Sequence, residues 1–487
     1  MKESNSEIVY NSAKTWQVGF FALNNTATNL YMFLFFFIAY YATGVAGLLV
    51  VSVSTVITFS RIWDGITDPI IGYLIDKTRS KVGKFRPYMI LGNIILAGTS
   101  AIMLFTTHLI PENFRLIYFI LIYLLYIIGY TFQTACTKAA QTVLTNDPKQ
   151  RPMFTLFDAI YNTFLFIAGQ AFVASVLVPR NDGFTLSFFR EAWLIVFIMS
   201  GIFTILAVIS IWNKDVEENW GIDKAVKLGI KDYLKIIKGN RPLQMLIISA
   251  STDKLANLTQ RNAITIVIIY GILMGNYALS GSLMIITAIP TILITFFGIN
   301  YAKKLGIKKA YVLATQLSLV LIGVLLVFMN IVDLTTISLK PVSGTAIGFL
   351  VIWSLLAGVV AIGGNIVIPM IADCADYEVY RSGQFVPGML GTIFSFVDKM
   401  ISSLSTAFIG FMVAIIGFKD ALPTVDTPVS PELKFMGLLF FIGVPVIGWV
   451  ASLIAMKFYY LDGDKMKEIQ QAIHDRKESG EKPEFAE

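Results

Sequence analysis

The sequence predicts an all-α membrane protein with about twelve transmembrane helices, arranged as two halves of six. Its 487 residues are 56% hydrophobic and 14% charged, with a mean hydropathy of +0.70. Soluble domains carry about 25% charged residues, so this composition indicates that much of the chain faces lipid. Apolar runs long enough to cross a hydrocarbon core of about 30 Å recur along nearly the whole length. Lysine and arginine concentrate in alternate loops, which is typical of a multi-pass topology.

The predicted spans follow one another with short connections. They lie at approximately residues 16–42, 46–75, 88–108, 115–143, 154–178, 190–213, 244–271, 279–301, 309–332, 344–371, 389–416 and 435–458. Loops after even-numbered spans carry most of the basic residues, so the positive-inside rule predicts that both termini are cytoplasmic. An even number of spans follows. We therefore expect a multi-pass protein of the cell (inner, cytoplasmic) membrane, in contact with the lipid bilayer.

A charged linker divides the spans six from six. We predict an N-terminal half at 1–213, a cytoplasmic linker at 214–243, a C-terminal half at 244–458 and a cytoplasmic tail at 459–487. Basic loops that contain a glycine follow both span two and span eight, with Gly83 in the first and Gly306 in the second. Corresponding loops six spans apart are what duplicated halves predict, although the second copy is degenerate.

The residue types needed for metal, haem or disulfide chemistry are scarce. The chain has two cysteines, Cys136 and Cys374, without a CxxC motif, and two histidines. It also lacks a phosphate-binding glycine loop and a nucleophile motif. The net charge of +6 follows from the basic loops and predicts no nucleic-acid partner. We therefore expect neither an enzyme nor a bound cofactor.

Span two carries two acids, Asp64 and Asp68, in an otherwise apolar run. Residues four apart share a helix face. Two carboxylates at membrane depth repel each other unless a cation or proton lies between them. One interpretation is therefore a transient Na⁺ or H⁺ site formed by both acids. The other is structural, because Arg61 precedes Asp64 by three residues and suits an ion pair with that acid alone. Two acids in a single span favour the cation site.

Polar side chains in spans one and four predict a site for a hydroxyl-rich substrate and ligands for the cation. Asn24 and Asn25 belong to span one, and Thr131, Thr134 and Lys138 belong to span four. Amides and hydroxyls supply the donors and acceptors that sugar hydroxyls need. Structural alternatives stay open: amides that hold helices together, hydroxyls bonded to their own helix carbonyls, and a lysine that extends to the membrane interface.

Charged residues in the C-terminal half and in the loops predict gates that break and form during transport. Adjacent helix residues do not face each other, so the Asp-Lys pairs of spans seven and eleven need partners elsewhere. Cross-helix pairs between these spans that break during alternating access are one interpretation, and static buried pairs are the other. An acidic segment after span ten is interpreted as a loop that docks onto the basic loop after span two. The candidate gate residues are Asp76, Arg79, Asp253, Lys254, Asp373 and Asp376.

The stretch RIWDGITDPIIGYLIDKTRSKVGKFRP at 61–87 resembles the second-span signature of the glycoside–pentoside–hexuronide:cation symporters of the major facilitator superfamily. The segments ADCADYEVYRSG and LDGDKMKEIQ resemble the later cytoplasmic motif and the tail of that family. The resemblance covers the whole chain. It implies a twelve-helix major facilitator fold and uptake of a sugar or glycoside with Na⁺, Li⁺ or H⁺. It places Asp64 and Asp68 on the family's cation-site acids, Thr131 on its threonine ligand and Lys399 on its lysine in span eleven.

The chain departs from the melibiose-carrier pattern at four positions near the expected substrate site. Asn24 stands where that pattern has a sugar-binding aspartate, and Thr134 replaces a second aspartate. Lys138 replaces an aromatic residue, and Asp158 stands in place of an arginine. The loss of both acids argues against melibiose as the substrate. It suits an anionic sugar such as a uronide, with Asp158 and Lys399 as further candidate substrate residues.

We expect a monomeric secondary active symporter that works by alternating access. A cation between Asp64 and Asp68 relieves their repulsion and pre-organises the neighbouring substrate site, so each ligand raises the affinity of the other. The alternative is a uniporter or exporter of the same fold without cation coupling. The sequence leaves open which sugar is carried, whether Na⁺ or H⁺ drives it, and in which direction it moves.

Overall fold

The computed structural model describes residues 11–145, 150–219, 238–382 and 387–478, and within those ranges no β-strand occurs. A long helix corresponds to each predicted span in turn, and another lies in the tail. These helices are α1 (Thr15–Phe35), α2 (Val50–Lys77), α3 (Arg86–Thr106), α4 (Glu112–Ala139), α5 (Arg151–Phe172), α6 (Leu186–Ser210), α7 (Arg241–Gln260), α8 (Ala278–Leu305), α9 (Ile307–Ile331), α10 (Gly344–Ser382), α11 (Pro387–Ile415), α12 (Pro431–Phe458) and α13 (Gly463–Glu478).

Short helical pieces extend or connect the long helices. They are Ile38–Tyr40, Thr107–Leu109, Gln141–Leu144, Val178–Arg180, Glu217–Asn219, Ala263–Ile266 and Leu334–Thr336, with π-helical turns at Tyr41–Val45, Val173–Leu177, Val267–Leu273 and Leu439–Gly443. A π turn takes in one extra residue and is often found near functional sites. Both α1 and α7, which are six spans apart, are followed by such a turn.

Ten of the described helical segments are long and apolar enough to cross a membrane. The predicted spans that do not meet this criterion are α2 and α7. Charged residues lower the hydropathy of both helices, among them Asp64 and Asp68 in α2 and Asp253 and Lys254 in α7. Ionisable residues are tolerated in a membrane helix where they face the interior of the bundle or each other. The predicted fold class, an all-α membrane protein, is confirmed.

The chain forms two compact units. The first is Met1–Ala225 with Lys419–Leu422, and the second is Val226–Phe418 with Pro423–Glu487. Residues 220–237, which make up most of the predicted linker, lie outside the described residues. Each unit has its own buried apolar core, which in the first includes Phe21 and Met89 and in the second includes Leu246, Met370 and Ile469. Inside a bilayer such cores are held by close packing, because lipid tails are as apolar as the side chains they would replace.

The tail contributes to the second core. Helix α13 packs along α10, and its Ile469 is completely buried. Gln470 of the same helix donates a hydrogen bond to the Asp376 carboxylate on α10 at 2.7 Å. The charged tail is therefore partly helical.

Candidate cation and substrate site

Asp64 is a buried acid within a predicted membrane span of the first unit. It lies at the middle of α2 and is 2% exposed. Its Oδ1 accepts a hydrogen bond from Thr131 Oγ1 on α4 at 3.2 Å. Thr67, which follows Asp64 on α2, donates its hydroxyl to the Asp64 carbonyl at 3.1 Å and lies 3.4 Å from the Thr131 hydroxyl. A carboxylate, two hydroxyls and a carbonyl thus gather between α2 and α4. The structure brings together Asp64 and Thr131, two of the candidate cation ligands, and their cation-binding role stays a prediction.

Asp68 lies one turn beyond Asp64 on the same uninterrupted helix. The rise is about 6 Å along the axis at 1.5 Å per residue, and the side chain is partly buried. Both acids have interactions beyond those described above. Carboxylate, hydroxyl and carbonyl oxygens suit a hard cation such as Na⁺ or Li⁺, and either carboxylate also suits a proton.

Arg61 also contacts Asp64, which bears on the structural interpretation. Its Nη1 lies 3.9 Å from Asp64 Oδ2, and the arginine side chain is 42% exposed. At this separation the contact is an ion pair without a hydrogen bond, and such half-exposed pairs contribute about 0–1 kcal/mol. One arginine brings a single positive charge to a set with two acids, so Arg61, Asp64 and Asp68 together carry a formal charge of −1.

A ladder of polar side chains joins α1 to α5. Asn25 Nδ2 donates to Asp158 Oδ1 at 2.7 Å, and Asn162 Nδ2 donates to the same oxygen at 3.0 Å. Asn29 Nδ2 donates to Asn162 Oδ1 at 2.7 Å. No described side chain hydrogen-bonds Asp158 Oδ2, and all four residues are partly exposed. The structure therefore brings the predicted substrate residues Asn25 and Asp158 together. Their unused acceptors and amide groups are able to bind sugar hydroxyls.

Asn24 faces a different helix from its neighbour Asn25. It is completely buried, and its amide donates to the Gln133 carbonyl at 3.2 Å and to Thr137 Oγ1 at 2.7 Å, both on α4. Its Oδ1 is buried without a hydrogen-bond partner among the described residues. With both N–H groups engaged between helices, the geometry matches the helix-packing alternative. A substrate role for Asn24 stays a prediction.

The other predicted substrate residues lie apart from the ladder contacts. Thr134 donates its hydroxyl to the Thr131 carbonyl of its own helix at 3.3 Å, which matches the structural alternative. Lys138 lies exposed in the last turn of α4, and no ion pair to it is found among the described residues. Lys399 is partly buried on α11 and has an interaction with a neighbouring group.

Two of the predicted gate residues, Asp253 and Lys254, turn to different partners. Lys254 on α7 forms an ion pair with Asp398 on α11, in which the carboxylate is 10% exposed. A cross-helix pair between spans seven and eleven therefore exists, and its opening during transport stays a prediction. Asp253 instead accepts a hydrogen bond from the Tyr311 hydroxyl on α9. Sequence reasoning missed Tyr311, because periodicity within a span does not reveal which spans face each other.

The segment that carries Asp373 and Asp376 is helical, so its interpretation as a loop was wrong. Helix α10 continues through both acids to Ser382, because the sequence offers no glycine or proline between Asp373 and Ser382 to end it. A partly buried intrahelical pair lies in the last turn, where Arg381 donates to Glu378 Oε1 at 2.6 Å. The partner found for Asp376 is Gln470 of the tail. A gating role for either acid stays a prediction.

The basic loop after α2 is held by an acid that sequence reasoning missed. Asp215, which follows α6, is fully buried and accepts backbone hydrogen bonds from Lys84, Phe85 and Arg86 at 2.8–3.0 Å. The Arg86 guanidinium lies over the Trp212 ring, 4.4 Å from its centroid. The sequence did contain a signal for this contact: Asp215 follows an even-numbered span, so it is expected on the same side of the membrane as the basic loop after α2.

The remaining loop predictions concern Asp76 and Arg79. Arg79 lies 3.9 Å from Glu217, and both side chains are more than 70% exposed, so the pair adds little to stability. The backbone of Asp76 belongs to the last turns of α2, and its side chain lies outside the described residues.

A family model described as MFS/sugar transport protein matches residues 20–463 of the chain. The chain belongs to the MFS/sugar transport protein family. It is a membrane transporter of the major facilitator type and not an enzyme. The family resemblance seen in the sequence is confirmed.

Full-length relatives agree with this membership. The chain is similar to a putative glycoside/cation symporter, YagG, of Escherichia coli strain K12, with 23% identity over 457 residues that cover 92% of each protein. It is also similar to a glucuronide carrier protein homologue of the same strain, with 22% identity over 447 residues that cover 91% of each. A solved structure of a variant of the nucleoside transporter NupG has a TM-score of 0.62 at 15% identity, and the match covers 91% of this chain and 99% of that one. The last likeness shows the fold alone.

Proposed function

We propose that this family member is a cation-coupled symporter, which moves a sugar, glycoside or uronide together with Na⁺, Li⁺ or H⁺ by alternating access. The observation that carries the proposal is the contact between Asp64 and Thr131, 3.2 Å across α2 and α4. A buried acid at the middle of a membrane helix is costly unless it serves an ion or is neutralised. The distribution of basic loops supports a cell-membrane protein with both termini cytoplasmic, and we expect it to act as a monomer.

The coupling follows from charge. Arg61, Asp64 and Asp68 sum to −1, so a single monovalent cation brings the group to neutrality. The cation removes the repulsion between the acids and draws α2 and α4 together through Asp64 and Thr131. A substrate bound beside these helices meets a more ordered site, so cation and substrate raise each other's affinity by the same factor. No covalent step is involved, and the chain needs no cofactor besides the coupling ion.

The substrate class rests on the α1–α5 ladder and on the named relatives. Asn25, Asn29, Asp158 and Asn162 offer amide and carboxylate groups at the spacing of one helical turn. These groups suit vicinal hydroxyls. A relative named as a glycoside/cation symporter and another named as a glucuronide carrier homologue support a glycoside or uronide. Lys138, exposed on α4, would attract the carboxylate of a uronide.

The test is uptake by the purified full-length protein in liposomes. We expect labelled glycosides or glucuronides to accumulate against their gradient when a Na⁺ or H⁺ gradient is imposed, and not without it. Glucuronides should be carried better than matched neutral glucosides, and Lys138→Gln should reduce this preference. If the gradient drives uptake of neutral glycosides as well as or better than that of glucuronides, the uronide proposal is wrong and the symport proposal is unaffected.

The Arg61 contact favours a second candidate, an uncoupled carrier or exporter of the same fold. If Arg61 neutralises Asp64 permanently, no cation is needed there. Arg61→Gln separates the two candidates. In a symporter it raises the charge imbalance and strengthens Na⁺ binding, because one competing positive charge is lost. In an uncoupled carrier it leaves a buried acid unpaired, and flux falls without any gain in response to Na⁺.

A further inference from the structure

The C-terminal unit contains a partly buried acid, Asp253, whose Oδ1 is shielded from solvent and which lies in a cluster with three hydroxyls. Asp253 and Ser249 belong to α7, Tyr311 to α9 and Ser452 to α12. The three hydroxyl residues are completely buried. This cluster belongs to neither the Asp64 contact nor the α1–α5 ladder, and the proposed symport does not use it.

The hydroxyls form a chain that ends on the carboxylate. Tyr311 donates to Asp253 Oδ2. Ser249 Oγ lies 2.9 Å from the Tyr311 hydroxyl and 2.6 Å from Ser452 Oγ, which itself lies 3.2 Å from Tyr311. Each hydroxyl has one proton to donate. If Tyr311 donates to the acid, one serine donates to Tyr311 and the other serine donates to the first, so every proton of the chain points towards Asp253.

The other carboxylate oxygen lacks this support. Asp253 Oδ1 is sealed from solvent and has no hydrogen-bond partner among the described residues. An ionised carboxylate accepts about four hydrogen bonds in water, so an anion here would exchange most of its hydration for the Tyr311 phenol and the neighbouring Ser452 hydroxyl. A neutral acid loses far less on burial, since the cost falls mainly on the charged form.

No described basic group forms an ion pair with Asp253. Helices α9, α10, α11 and α12 pack against α7. Their titratable and charged residues are Lys308, Lys309, Tyr311, Asp373, Cys374, Asp376, Tyr377, Glu378, Tyr380, Arg381, Asp398, Lys399, Glu432, Lys434 and Lys457. Lys254, the nearest basic residue in sequence, is engaged by Asp398. The positive charges of Lys308 and Lys309 stabilise the Asp462 carboxylate of the tail. Charge neutrality at Asp253 is therefore reached by a proton more readily than by a side-chain partner.

The hydrogen-bond chain accommodates that proton without moving a helix. With the proton on Oδ2, the acid donates to Tyr311, Tyr311 donates to one serine, that serine donates to the other, and the last serine donates back to the Tyr311 oxygen. The direction of the chain reverses while every heavy atom keeps its place. We propose that Asp253 is a proton-binding site of the C-terminal unit, with Tyr311, Ser249 and Ser452 as its positioning residues. It is distinct from the cation site at Asp64 and goes beyond the proposed coupling.

Infrared difference spectroscopy of the purified full-length protein in lipid tests the proposal directly, because a protonated carboxyl has a carbonyl stretch that a carboxylate lacks. A titration with acid and base as the only ligand should show one such band that Asp253→Asn removes completely. Asp253→Glu should retain the band at a shifted frequency. Tyr311→Phe, which keeps the ring and loses the hydroxyl, should also shift it.

The control is Asp333→Asn, which changes an exposed acid that caps the turn Leu334–Thr336 and should leave the band intact. A band of full height in Asp253→Asn overturns the proposal. If Asp253→Asn does not fold, a band that stays unshifted in both Asp253→Glu and Tyr311→Phe overturns it equally. The spectra do not depend on uptake, so the proposal survives if gradient-driven symport fails, and symport survives if the band is absent.

Discussion

The hydrogen bonds between the basic loop and the Asp215 carboxylate predict a loss of stability when Gly83 is replaced. This residue has φ +110°, where a residue with a side chain is strained by about 1–3 kcal/mol. A Cβ at this position would lie 2.3 Å from Asp215 Oδ2 and 2.6 Å from Arg86 Nε. The carboxylate must then withdraw from the backbone N–H groups that bind it, and one charge-assisted hydrogen bond is worth about 1.5–3 kcal/mol. Gly83→Ala should therefore destabilise the first unit by about 3–5 kcal/mol.

The assay is thermal unfolding of the purified protein in detergent, followed by intrinsic fluorescence. The matched control is Gly72→Ala in α2, where a Cβ meets no atom within 4 Å and alanine is the better helix former by about 0.5–1 kcal/mol. We expect a clearly lower Tm for Gly83→Ala and an unchanged or slightly higher Tm for Gly72→Ala. Equal Tm values for the two variants would refute the argument that Gly83 is required by the carboxylate behind it.

Three further predictions concern the two ligand sites and the C-terminal ion pair. Thr131→Val should raise the Na⁺ or H⁺ concentration that gives half-maximal uptake by about tenfold, because one charge-assisted hydrogen bond is lost. Thr142→Val should leave this concentration unchanged, because the Thr142 hydroxyl bonds only its own backbone. Asp158→Asn should raise the KM for sugar several-fold at unchanged Tm, and an unaltered KM would take the ladder out of the substrate site. Lys254→Met should lower the Tm, because the buried Asp398 carboxylate loses its ion-pair partner. Adding Asp398→Leu should recover part of this loss. Additive losses in the double variant would contradict the pair.

The spans could be predicted from the sequence because each is a long apolar run, and lipid demands that the backbone within it be helical. Even α2 and α7, whose charges lower their hydropathy, were recognisable by length and position. The Asp64–Thr131 contact could be predicted only with the help of the family resemblance. Spacing along one helix does not tell which neighbouring helix supplies a partner.

The missed contacts share a physical cause. Tyr311 meets Asp253, and Asp215 meets the backbone of the basic loop, across 58 and about 130 residues of chain. Such contacts depend on how helices pack and not on local composition. Asp373 and Asp376 were assigned to a loop from their charge, whereas their helix is decided by the absence of a breaker and by packing of α13 against α10.

The proposed symport requires that a cation bound by the acids of α2 is transported together with the sugar. The most direct measurement is accumulation of a labelled glycoside in liposomes under an imposed Na⁺ or H⁺ gradient, compared between the native protein and Asp68→Asn, with gradient-free exchange measured in parallel. The account predicts that Asp68→Asn abolishes gradient-driven accumulation while exchange persists. Accumulation that is undiminished in Asp68→Asn, or equal in the native protein with and without the gradient, would contradict it.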